Sequence, residues 1–82
     1  MTNEEILLRV TGIFRDVLDE DNLELSAQTT PSDVVAWDSL ANVRLLVAIE
    51  GDFGIRFETD ELASVVSVGA LVALIKEKIA RQ

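Results

Sequence analysis

Any chemistry in this chain has to begin at Asp38 and Ser39, a carboxylate beside a hydroxyl in the stretch VAWDSLANV, residues 35–43. The usual reagents are absent. With no histidine and no cysteine, the chain lacks the commonest general base, the commonest transition-metal ligand and any thiol of its own. Three readings of Ser39 stay open on local grounds. Asp38 and Ser39 are residue types favoured at a helix start and can simply cap one. As a nucleophile, Ser39 would need a base in hydrogen-bond reach that a third group orients. Only Asp38 or a lysine of the last helix could serve, and both are poor candidates. As an attachment point, Ser39 needs no activation by its own chain. A phosphodiester on its oxygen would sit where helix N–H groups and the helix dipole favour an anion. No catalytic residue is assigned.

The acidic run DEDNLE, Asp19 to Glu24, is the other place to look for chemistry. Against the calcium-loop pattern it has acids at the first and third places, but Leu23 where a third ligand belongs and no glycine at the turn. A solvated acidic edge is the simpler account, and no metal site is assigned. Glu58, Asp60 and Glu61 are most simply first-turn acids of a short helix, and they could add to a docking surface for a basic partner.

Positioning Ser39 requires elements on both sides of it. Ile6, Val10, Ile13 and Val17 recur at helical spacing, widened by Leu7, Phe14 and Leu18, and Thr2 with Glu5 matches a capping box. This predicts a helix over about residues 3–19. From Glu20 to Trp37 no helical period persists. So long a loop usually has a role, and its Leu23, Leu25, Val34, Val35 and Trp37 should pin it to the core, with Trp37 as a packing anchor. Pro31 restricts Thr30 to extended geometry. A second helix should begin at the N-cap Asp38 and stop near Gly54. Thr59 starts a brief turn or helix toward Val66. Ser67 can cap a last helix carrying Val68, Leu71, Leu74, Ile75 and Ile79, with Lys76, Lys78 and Arg81 near its negative end. The expected fold is all-α: a small four-helix bundle, three longer helices plus one short, with a long loop between helices 1 and 2.

The second helix has two apolar faces. At about 100° per residue, Leu45, Leu46, Ile49 and Phe53, with Asn42 among them, gather on one side as the core face. Leu40, Val43 and Val47 gather opposite, with Arg44 beside them and no acid three or four residues away to pair with it. Either the helix is central and packed on both sides, or the second stripe is offered to a partner, as exposed apolar patches usually are.

The totals narrow the classes. With 82 residues the chain is a single domain, 1–82, with a thin core. Fifteen acids against seven bases give a formal net charge of −8, which argues against nucleic acid and anionic membrane surfaces and suits basic partner surfaces. The start MTNEEILLRV has acids where a leader needs bases, and no stretch approaches transmembrane length. The expectation is a soluble cytoplasmic protein with no membrane insertion.

WDSLANVRLLVAIEGDFGIRF, followed by the later SVGALVALI, resembles the acyl carrier proteins, the phosphopantetheine-binding family of four-helix carriers. The likeness spans essentially the whole chain. It implies that Ser39 receives 4′-phosphopantetheine from coenzyme A through a separate Mg²⁺-dependent phosphopantetheinyl transferase, and that Asp38 helps position the modification, next to Leu40. The cofactor would then supply the missing thiol and carry acyl groups as thioesters. Leu40, Val43, Arg44 and Val47 would form the face that meets the transferase and the acyl-loading and acyl-processing enzymes, and the chain would act as a monomer. Compared with carriers of fatty-acid synthesis, Ala41 and Arg44 stand where acids are expected, Glu50 and Asp52 come only at the far end of the helix, and Trp37 replaces a small residue. The resemblance implies a carrier for fatty-acid, polyketide or related specialised biosynthesis, and these departures point to specialised partners, as in polyketide, nonribosomal-peptide or modified-lipid assembly. The rival reading is an adaptor that uses the Leu40/Val43/Val47 face without a prosthetic group; a serine hydrolase ranks behind both.

Overall fold

A computed structural model describes residues 1–81, the side chain of Leu62 excepted. Four α-helices and one 3-10 turn follow in order: α1 Asn3–Leu18, the turn Pro31–Asp33, α2 Ser39–Phe53, α3 Thr59–Leu62 and α4 Val68–Ala80. Among the described residues there is no strand, and no helix is long and apolar enough to cross a membrane.

Each helix begins where a side chain satisfies an amide that the helix itself leaves unpaired. Thr2 and Glu5 form the reciprocal capping box of α1, with Glu5 Oε1 2.8 Å from the Thr2 amide. Asp38 Oδ1 accepts the Ala41 amide at 2.8 Å to start α2, and Ser67 Oγ accepts that of Ala70 at 3.1 Å to start α4. The helix ends are as local. Gly54 closes α2 at φ 68°, a left-handed conformation that glycine adopts without strain. Asp19 takes a similar conformation after α1, which therefore stops at Leu18, one residue before the expected end. The third helix also falls short, ending at Leu62 rather than reaching toward Val66.

The core gathers around α1, which packs against both α2 and α4. Its buried line is Ile6, Val10 and Phe14, while Leu7, Ile13, Val17 and Leu18 are half-buried beside it. From α2 come Leu45, Leu46 and Ile49, with Phe53 at the margin; from α4 come Val68, Leu71, Val72 and Ile75. Val72 fell outside the line read from the sequence. Leu74 and Ile79, which were in it, are only partly covered.

The long loop is fixed by polar bonds as well as apolar contacts. Arg15 Nε donates to the Leu23 carbonyl at 2.7 Å. The amides of Val68 and Gly69 donate to the carbonyls of Thr29 and Ala27 at 2.8 and 2.9 Å, so the loop seals the N-terminus of α4. Thr30 is extended as expected, and the 3-10 turn that Pro31 opens was not foreseen. Val34 is buried and Leu23 and Leu25 pack against the core, but Val35 is 99% exposed. That corrects its assignment as a pinning residue. After Val34 the chain turns, and the side chain of Val35 falls on the outside of the bend.

Candidate functional site

Trp37 decides where Ser39 stands. Its ring is buried and meets Phe14 edge-on, with centroids 4.9 Å apart and planes at 83°. Its Nε1 donates to Asn42 Oδ1 at 2.9 Å, which satisfies the indole as burial requires. The end of the loop is thus clamped both to α1 and to the second turn of α2. Asp38 follows as N-cap and Ser39 as the first helical residue, both exposed.

The start of α2 is open where that of α4 is closed. The first four amides of α4 all have acceptors: Thr29, Ala27, Ser67 Oγ and the Ser67 carbonyl. In α2 the Ala41 and Asn42 amides are taken by the side chain and carbonyl of Asp38. Among the described residues, those of Ser39 and Leu40 have no protein acceptor. Two free N–H groups and the positive end of a 15-residue helix therefore lie beside the Ser39 hydroxyl. The Asn3 and Glu4 amides of α1 likewise have no acceptor among the described residues, but there the neighbouring Thr2 hydroxyl is occupied by the Glu5 amide. Ser39 opens onto a shallow cleft of about 340 Å³ lined by Pro31, Trp37, Asp38, Asn42 and Val65. A phosphate monoanion or diester on Ser39 fits this setting: its oxygens meet unpaired donors and no buried side chain stands in the way.

Nothing equips Ser39 to attack unaided. Asp38 is engaged with the Ala41 amide, and among the described residues no side chain hydrogen-bonds the Ser39 hydroxyl. Nor, among the described residues, does any group of three or more Asp or Glu side chains converge to hold a metal ion, in the Asp19–Glu24 run or elsewhere.

The remaining assigned residues fall on one stripe. Leu40, Val43 and Val47 are 71%, 56% and 61% exposed, and Arg44 lies exposed beside them. The opposed stripe of α2 is offered outward; the alternative of a helix packed on both sides is not what forms. Ala41 is buried. Its lack of charge is therefore no feature of the exposed face, which corrects the weight given to it from sequence. Glu50 and Asp52 are also committed internally. Glu50 accepts the Phe57 amide at 2.7 Å, and Asp52 pairs at 2.7 Å with Arg9, whose guanidinium lies 4.4 Å over the Phe53 ring. Glu61 accepts the Glu58 amide and pairs with Lys78 at 2.6 Å. Of the three acids at the start of α3 proposed for docking, it is thus the one in an ion pair among the described residues. Sequence reading missed Val35 and Val66, both exposed in segments flanking the cleft residues Trp37 and Val65. No periodic signal exists in such short connections to reveal them.

Residues 8–75 match the family described as "Phosphopantetheine attachment site". The acyl carrier protein of Petrotoga mobilis is 34% identical over 79 residues, spanning 96% of this chain and 93% of its own. That of Caulobacter vibrioides is 36% identical over 76 residues, spanning 93% and 97%. The solution structure of a holo acyl carrier protein from Geobacter metallireducens superposes with a TM-score of 0.88 at 39% identity, covering 93% of this chain and 87% of that one. The four-helix architecture, the open start of α2 and these likenesses lead to one conclusion: the chain belongs to the acyl carrier proteins, whose prosthetic group is phosphopantetheine.

Proposed function

We propose that residues 1–82 form one carrier domain in which Ser39 is the attachment residue, its oxygen bonded to the phosphate of 4′-phosphopantetheine delivered from coenzyme A. The observation that carries this reading is the exposed hydroxyl at the first residue of α2, beside two amides without protein acceptors. When bound, the group supplies a thiol that holds acyl groups as thioesters. The chain's own contribution is positional. Asp38 fixes the helix start through Ala41, and the Trp37–Asn42 bond fixes the approach of the loop. The Ser39 and Leu40 amides face the phosphate, while Leu40, Val43, Arg44 and Val47 receive the transferase and the loading and processing enzymes. The protein itself catalyses nothing; activation of the hydroxyl belongs to the transferase. Arg44, beside the exposed stripe, favours specialised partners over those of housekeeping fatty-acid synthesis. The proposal places this traffic in the cytoplasm, with the chain as a monomer.

Co-expression with a broad-specificity phosphopantetheinyl transferase tests the attachment. Intact mass should rise by one phosphopantetheine in the wild type and by none in Ser39→Ala. A folded wild-type protein that stays unmodified would instead favour an adaptor working through the same face. Modification that persists in Ser39→Ala would place the arm elsewhere.

A further inference from the structure

We propose that the enzyme docking on α2 to act at Ser39 presents a carboxylate to Arg44 at the edge of an apolar patch. This deepens the docking reading above and rests on it. Helix α2 carries three charges, Arg44, Glu50 and Asp52. Two are engaged within the fold: Glu50 by the Phe57 amide and Asp52 by Arg9. Among the described residues Arg44 is the one charge on this helix with no ion pair or hydrogen bond. It lies beside Leu40, Val43 and Val47, each more than half exposed.

That neighbourhood constrains the chemistry of the occupant. A protein that covers the three apolar side chains also draws water away from the guanidinium at their edge, and a desolvated charge left without a counter-ion is strongly unfavourable. The guanidinium presents a planar fork of donors that a carboxylate meets with two parallel bonds. Arginines in such water-excluded positions are frequent centres of binding energy. The formal charge of −8 on the whole chain attracts basic surfaces at long range, but beyond about 8 Å at physiological ionic strength its influence is largely screened. At contact distance Arg44 sets the local sign.

The test uses the full-length protein and the source organism's own phosphopantetheinyl transferase, with coenzyme A and Mg²⁺. Four proteins are compared at low and high salt: wild type, Arg44→Glu, Arg44→Lys and Arg56→Glu. Arg56 is exposed and lies outside α2, so it reports the same change in net charge away from the stripe. Thermal melts establish that each variant is folded. The expected result is an Arg44→Glu kcat/KM about tenfold below wild type, mainly through KM. Arg44→Lys should fall between the two, Arg56→Glu should stay near wild type, and the gap should narrow as salt rises. An Arg44→Glu rate equal to or above wild type overturns the proposal, as does an equal loss in Arg56→Glu. A wild-type chain that neither this transferase nor the broad-specificity one can load would instead refute attachment at Ser39.

Discussion

Ile49 and Val43 lie on opposite sides of α2 and are expected to fail differently. Ile49 is fully buried in the hydrophobic core, and truncation to alanine removes contacts that a small core cannot refill. Ile49→Ala should cost about 2–5 kcal/mol in chemical denaturation. Val43 is 56% exposed, so Val43→Asp should change stability by about 0.5 kcal/mol or less. Its effect belongs to recognition: placing a carboxylate in the apolar stripe should lower transferase kcat/KM about tenfold. A melting-temperature loss of core size in Val43→Asp would mean that the stripe is covered rather than offered. At this scale the sequence was most legible. Ser39, its cap Asp38 and the stripe Leu40, Val43 and Val47 follow from residue type and a 3.6-residue period, whereas the burial of Ala41 does not.

Between elements the connections matter more than the helices. The long loop is held to α4 by two backbone bonds at Val68 and Gly69, and the fit is close. A Cβ added at Gly69 would lie 2.7 Å from the Ala27 carbonyl oxygen and 3.1 Å from its Cβ. In an unconstrained helix Gly→Ala gains about 1 kcal/mol. Here the backbone would have to move apart, so Gly69→Ala should instead destabilise by about 1–3 kcal/mol. It should also speed hydrogen exchange at the Val68 and Gly69 amides. A more stable Gly69→Ala protein would show that the loop is not seated on α4. Seating the loop fixes Trp37, and Trp37 fixes the start of α2, so the same variant should slow loading of Ser39. The sequence marked Ser67 as a cap but not the carbonyls that complete it, because backbone acceptors carry no sequence signature.

Across the molecule α3 is the shortest of the α-helices among the described residues. It is four residues long, and its clearest tie to the bundle is the Glu61–Lys78 pair, with side chains 22% and 13% exposed. The bond from Lys78, then that from the Glu58 amide, hold the Glu61 carboxyl below its ordinary value of 4.5. A carboxyl with a depressed folded-state pKa stabilises the fold above its unfolded value and loses that contribution as pH falls through the folded one. The α3 attachment should therefore be fully present above pH 4.5 and weaken progressively below it. Hydrogen exchange or nuclear magnetic resonance should detect local opening at α3 in that window while α1 and α4 stay protected. Glu61→Gln should show looser α3 packing already at neutral pH, with little further change on acidification. Equal pH sensitivity in Glu61→Gln would assign the effect to other carboxylates. Val65 links α3 to the Ser39 cleft, so such opening would reshape one wall of the site.

Residue type and local spacing are enough to read the helices, their caps and the hydroxyl of Ser39 at the start of α2, because each depends on neighbours within a turn or two of chain. Tertiary structure alone decided which charges remain free. Glu50, Asp52 and Glu61 look like surface acids in the chain and prove to be engaged with Phe57, Arg9 and Lys78. Arg44 looks equally solvated and is the one left unpaired on α2 among the described residues. Ion pairs and backbone acceptors join positions tens of residues apart, and their geometry exists only once α1, α2 and α4 have packed.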